Sequence, residues 1–276
     1  MKKNIVLERF DNVSQLIGEL SKRSNNQIMS NKHASQKSND DENWSGTKTY
    51  EEAVKYILGG YEKPLDALKR GVITANTKST SPRRCRPMND IIGYIPNVPA
   101  AVIGLPQSMI RQDIEPKKSK IIDIIYSPTV NCDTSSSDIE KAGIAIISII
   151  NDLEKNGYRV SLSIAFYLAE EDNDRAIATV KVKDWRQPID LKKIAFPIAN
   201  AGMLRRIGFK WLETCKGLKE NFWSFGYGSQ LEYDEAKKLL EEQNLISDRQ
   251  FFINMKFCKN CHFDTKEITT RLGMTK

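Results

Sequence analysis

The chain has 276 residues, 40% hydrophobic and 28% charged, with a formal charge of +7. That is a globular composition, enough for one large domain or one domain with appendages. No run of about 18 apolar residues occurs, so no membrane-spanning helix is expected, and five scattered cysteines do not make a disulfide framework.

The amino-terminal stretch carries Ile5, Leu7, Phe10, Val13, Leu16, Ile17 and Leu20 as apolar positions, and the spacing predicts a helix over Val13 to Arg23. Glu8, Arg9 and Asp11 arrive too early for a signal peptide. The expectation is a cytoplasmic protein with no membrane partner. Residues 24–43 are polar and read as a linker. Thr49 followed by Glu52 is a capping-box pattern opening a helix that Gly59-Gly60 ends. Pro64 to Gly71 reads as a second short helix with Pro in its first turn.

The run Ile91 to Pro106 is apolar but broken by three prolines and two glycines. It reads as an extended strap packed on a sheet, with one helical turn at Val98 to Ile103. Lys120 to Tyr126 is a strand by its β-branched run. Ile139 to Asn156 is a helix by its three- and four-residue spacing, closed by Gly157, and Tyr158 to Ile164 alternates as a strand. The fold class expected is therefore α/β: a mixed sheet with a βαβ unit at 120–164, a following hairpin at Ala176 to Val182, and an N-terminal helical arm. Pro188-Ile189-Asp190 opens a further helix, Ala201 to Phe209 follows as another helical piece, Asp234 to Gln243 is a surface helix, and Phe251 to Phe257 is a last strand. The divisions expected are an arm and linker over 1–43, an α/β domain over 44–215 and an extension over 216–276.

Between Asp66 and Asp90 lie six basic residues and no acidic one: Lys69, Arg70, Lys78, Arg83, Arg84 and Arg86. A basic loop of this kind can grip the phosphates of DNA or RNA, or remain a solvated loop. Arg205-Arg206, flanked by Gly202 and Gly208, is a second anion-binding candidate.

Asp133-Thr134-Ser135-Ser136-Ser137 spells Asp-x-Ser-x-Ser at the carboxyl side of the first strand of the βαβ unit, where ligands of α/β sheets bind. The pattern resembles the cation loop of von Willebrand factor A-type domains. That resemblance implies magnesium ligation by Asp133, Ser135 and Ser137, and an adaptor that works with a partner such as an ATPase. The plain alternative is that Asp133 or Ser137 caps the helix at Ile139. Cys258-x-x-Cys261-His262 is half of a zinc site, without a second half nearby in sequence. With only His33 and His262 in the chain, no Ser/His/Asp triad can be drawn, which turns the expectation away from an enzyme. A metal-dependent enzyme on nucleic acid stays as a further alternative.

Three groups of phrases carry a resemblance. They are Trp44-Ser45-Gly46-Thr47 with Gly59-Gly60-Tyr61, then Gly93-Tyr94-Ile95-Pro96-Asn97 with Gly104-Leu105-Pro106, and then Gly143 with Met203-Leu204-Arg205-Arg206-Ile207-Gly208-Phe209. Together they resemble an uncharacterised domain family of tailed phages, prophages and bacterial mobile elements, over Trp44 to about Glu213. The resemblance implies a phage or mobile-element protein with a binding or structural role and a phage or host protein, or a nucleic acid, as partner. No catalytic residue comes with it.

Overall fold

Strand β5 (Ile121–Ser127), helix α5 (Ser136–Lys155) and strand β6 (Arg159–Ala169) form the βαβ unit that β-branched runs and helical spacing predict. In the order of the chain, the elements before it are β1 (Ile5–Phe10), α1 (Val13–Lys22), α2 (Asn39–Ser45), α3 (Tyr50–Gly59), β2 (Cys85–Asp90), β3 (Ile95–Pro96), α4 (Val98–Val102) and β4 (Met109–Ile114). After it come β7 (Arg175–Lys183), α6 (Leu191–Ala199), a π-helical turn (Met203–Gly208), α7 (Phe209–Thr214), α8 (Tyr233–Glu242), β8 (Gln250–Asn254), α9 (Met255–Asn260) and α10 (Thr265–Arg271). This is a computed structural model, and it describes residues 5–24, 34, 39–62, 66, 85–114, 120–131, 133–169, 175–217, 230–247 and 250–274.

The main sheet has the order β1-β7-β6-β5-β8. β5 and β6 are parallel, with Ile122 opposite Val160 and Tyr126 opposite Ile164. β6 and β7 form the expected antiparallel pair, and β8 joins β5 in parallel. Alternation then sends Ile122, Ile124 and Tyr126 to one face and Ile125 to the other. The first face is the larger core. It is covered by α5 (Ile146, Ile150), α6 (Ile194, Ile198), the π turn (Ile207), α7 (Trp211) and α1 (Leu16, Leu20). The second face meets α8 through Ala236, Leu239 and Leu240.

Caps fix the helix starts. Thr49 accepts from the Glu52 amide at 3.2 Å, and the Glu52 carboxylate accepts from the Lys48 amide at 2.6 Å, so the capping box reaches one residue further back than its usual form. Asp190 caps α6, accepting from the Lys192 amide at 3.1 Å. α5 starts one turn earlier than expected because Ser135, rather than Asp133 or Ser137, caps it by accepting from the Asp138 amide at 3.1 Å. The last strand is shorter than expected because Asn254 accepts from the Phe257 amide at 2.9 Å and turns the chain into α9.

Two expectations need correction. The N-terminal arm is not purely helical: Ile5 to Phe10 is an edge strand, parallel to β7, with Ile5 opposite Arg175 and Phe10 opposite Val180. Its two sides are both covered, Phe10 in the first core and Ile5 and Leu7 against the second, so no alternation shows in the sequence. With β1 and β8 at the two edges, the sheet is completed by segments on either side of 44–215. The Ile91 to Pro106 run is not a strap on this sheet. It belongs to a separate antiparallel sheet of order β2-β4-β3, and its large apolar side chains are exposed. Pro64 to Gly71 and the acidic turn before β7 lie outside the described residues, Asp66 excepted.

Helices α5 and α6 meet at Gly143. A Cβ there would stand 2.4 Å from the Ala199 Cβ and 2.6 Å from its Cα, so only glycine allows this approach. Gly143→Ala is expected to destabilise the fold by about 1–3 kcal/mol through overpacking, read as a lowered urea midpoint with an unchanged slope. An unchanged midpoint would show that the two helices separate freely.

Candidate functional site

The 85–114 unit is built by local hydrogen bonds. β2 and β4 pair with Cys85 opposite Ile114 and Asp90 opposite Met109, and β3 adds Ile95 opposite Ile110. The turn between β2 and β3 folds onto β4, with the Tyr94 amide donating to the Ile110 carbonyl at 3.0 Å. Gly93 is required there, because a Cβ would fall 2.3 Å from that same oxygen. The Asn97 side chain caps α4 by accepting from the Ala100 amide at 3.4 Å and donates to Asn89 at 3.1 Å. Arg111 and Asp90 pair at 2.9 Å.

Nine large hydrophobic side chains of this unit are exposed. Met88 is in β2, Ile91, Ile92 and Tyr94 in the turn, Ile95 in β3, Val98 and Val102 on α4, and Ile103 and Leu105 just beyond it. Val102 is 79% exposed, Ile92 78% and Ile103 72%, values ordinary for lysine and not for isoleucine. No charged residue occurs between Asp90 and Arg111. Both edge strands carry a proline, Pro87 in β2 and Pro96 in β3, which removes amides from the edges. The sequence signal for this surface was the uncharged stretch itself, but apolar composition alone points to burial.

The arginines singled out by sequence do not gather on one surface. Arg83 and Arg84 lie outside the described residues. Arg86 sits in β2, with its side chain outside the description. Arg205 is half-buried, with its guanidinium 5.4 Å from the Phe209 ring centre. Arg206 is fully buried, and this corrects its reading as a surface anion contact. Its Nη1 donates to the Ala34 carbonyl at 3.0 Å, and its Nη2 to the Thr47 and Lys48 carbonyls at 3.0 and 3.2 Å. Glu213, also buried, accepts from the Ala34 amide at 2.8 Å. Residue 34, in the stretch read as linker, is thus held by two charged side chains.

The carboxyl ends of β5, β6 and β8 are filled from within. Asn254 donates to the Tyr167 hydroxyl at 3.1 Å, the Tyr167 amide donates to Thr129 at 3.3 Å, and all three residues are buried. In the following loop Asp133, Ser135 and Ser137 are exposed, and the Ser135 hydroxyl serves as the α5 cap. Trp44 covers the loop, its Nε1 donating to the Thr134 carbonyl at 2.7 Å. A cavity of about 240 Å³ beside the α5 start is lined by Trp44, Tyr61, Ser136, Glu140 and Asn200. Glu140 sets a negative charge where the helix dipole would favour an anion. Both ends of the Asn200 amide are already used, by Tyr61 and by the Gly202 amide.

Cys258 and Cys261 are buried in the larger core, while His262 is exposed in the turn that follows. Burial pushes both thiols up, away from the thiolate form that zinc needs. Among the described residues, no group of three or more His, Cys, Asp or Glu is gathered to hold a metal, and no helix is long and apolar enough to cross a membrane.

The family model of a domain of unknown function, DUF7192, matches residues 1–276, and the chain belongs to that family. The match covers the whole chain rather than Trp44 to Glu213 alone. No curated protein and no solved structure matches.

Burial raises the Cys215 thiol as well, to about 12. Cys215, Cys258 and Cys261 are therefore expected to resist a maleimide at neutral pH and to label fully in denaturant, read by peptide mass mapping. Rapid native labelling of Cys258 or Cys261 would contradict the packing of α9.

Proposed function

We propose that this protein has a non-catalytic binding or structural role and that the 85–114 unit is its contact surface for a protein partner. The observation that carries the reading is the exposure of nine large hydrophobic side chains on one small unit. Leaving them in water forgoes on the order of 10 kcal/mol relative to burying them, comparable with the net stability of a whole domain. Surfaces of that kind persist where a partner covers them.

A phage or mobile-element setting belongs to this reading and rests on the phrases between Trp44 and Glu213. Nucleic acid is the competing partner, through the basic segment before β2. The uncharged stretch between Asp90 and Arg111 favours protein, because a phosphate-binding surface needs cations.

The test is site-specific photocrosslinking in cells with benzoylphenylalanine at Val102, and at the exposed Lys238 of α8 as control. A discrete protein adduct at Val102 and none at Lys238 is the expected result. The reading fails if Val102 gives no adduct while the purified protein binds DNA or RNA in a salt-sensitive way that Arg83→Glu/Arg84→Glu abolishes.

A further inference from the structure

The cavity at the start of α5 is assembled from stretches that lie far apart in the chain. Trp44 and Gly46 come from the end of α2, Tyr61 from the exit of α3, Glu140 from α5 and Asn200 from the exit of α6. It lies beside the loop that follows β5, the side of an α/β sheet where ligands bind. Its walls are fixed in advance. The Trp44 indole donates to the Thr134 carbonyl at 2.7 Å, which holds the ring in one orientation. The Asn200 amide donates to the Tyr61 hydroxyl at 2.9 Å and accepts from the Gly202 amide at 2.7 Å. The Tyr61 ring meets the Phe196 ring edge-on, with centroids 5.5 Å apart. Gly46 takes φ +66°, and a Cβ there would press on the Asn200 amide nitrogen from 3.1 Å.

One wall is charged. Glu140 is half-buried, and among the described residues no group pairs with its carboxylate. The lysines of the adjoining elements are engaged elsewhere: Lys141 with Asp138 at 3.5 Å, Lys48 with Glu42 at 3.6 Å, and Lys192 with Glu62. Glu140 stands in the second turn of α5, past the first turn in which the positive end of the helix dipole acts. Burial raises the Tyr61 hydroxyl against the opposing bond from Asn200, and the Glu140 charge adds to the rise, so the phenol keeps its proton and can donate it.

Size restricts the occupant. The volume of about 240 Å³ falls below the roughly 300–1,000 Å³ of small-molecule pockets. It holds about eight waters at roughly 30 Å³ each, which is room for the end of one long side chain. A carboxylate beside two aromatic side chains selects a cation. A guanidinium uses the whole arrangement, because it pairs with a carboxylate through two parallel hydrogen bonds and stacks on aromatic rings. An ammonium is more strongly hydrated and has no plane to stack.

We propose that the cavity between Trp44, Tyr61 and Glu140 binds a guanidinium group, carried on an arginine side chain of a protein or on a free alkylguanidinium. The site does not involve the 85–114 unit, so either reading can fail alone.

Fluorine NMR of the full-length protein labelled with 5-fluorotryptophan tests it. The chain has four tryptophans, and Trp44→Phe identifies the Trp44 resonance. The probes are N-acetylarginine methylamide and N-butylguanidinium, with N-acetylcitrulline methylamide as the neutral isostere. The expected result is a saturable shift of the Trp44 resonance with a guanidinium probe, at millimolar affinity or tighter, and none with the citrulline probe. Glu140→Gln should weaken binding by about tenfold or more while the other fluorine resonances keep their positions. Binding of the blocked arginine assigns the guanidinium to a protein side chain, and binding of N-butylguanidinium alone assigns it to a free molecule. The proposal is overturned if neither guanidinium probe gives a saturable shift, if the citrulline probe binds as well, or if Glu140→Gln leaves the affinity unchanged. A Trp44 shift with inorganic phosphate and none with guanidinium overturns it in favour of an anion at the start of α5.

Discussion

A guanidinium cannot be buried without acceptors for its protons, and that requirement at Arg206 organises the helical side of the molecule. The side chain leaves the π turn and reaches the carbonyls of residues 34, 47 and 48, more than 150 positions earlier. The wider π turn runs directly into α7, while an extended Asn200 separates it from α6. Glu213 holds the Ala34 amide from the same side. The start of α3 is thereby fastened to the layer that covers the sheet, and Trp44, just upstream, is placed over the loop that follows β5. Removing one acceptor would leave charge unsatisfied in the core, so these contacts hold or fail together.

The body formed this way is closed. The large face of its sheet is sealed by α1, α5, α6, the π turn and α7, and the close contact of Gly143 with Ala199 brings α5 and α6 to backbone distance. A second buried cation, Lys183, ties the end of β7 to α5 through Glu154 at 2.6 Å and to the Val160 carbonyl at 2.8 Å. The 85–114 unit contrasts with this economy. Ala100 is buried within it, while isoleucines and valines beside Ala100 are left in water. The body buries its charges on hydrogen bonds, and the unit exposes its hydrophobes.

The central βαβ unit was legible because its signals are local: a β-branched run, helical spacing from Ile139 to Leu153, and Gly157 with a positive φ at the stop. The capping box at Thr49 and the cap at Asp190 were legible for the same reason. β1 was not, because a strand covered on both faces shows no alternation, and its pairing with β7 spans most of the chain. Arg206 looked like half of a surface pair, since nothing near it in sequence reveals that carbonyls from three distant residues will surround it. The Ile91 to Pro106 run was misplaced for a related reason. Apolar composition reports a preference for burial but not the surface that satisfies it. Here the described residues of the same chain leave that preference largely unmet, and this makes the run the best candidate for function.

The proposed contact role of the 85–114 unit requires that its exposed side chains contribute little to folding. Urea unfolding of an Ile92→Ser/Val102→Ser/Ile103→Ser variant measures this directly. The expected stability lies within about 0.5 kcal/mol of the unsubstituted protein, as surface positions give. A loss of about 2 kcal/mol or more would place these side chains in a core and contradict it.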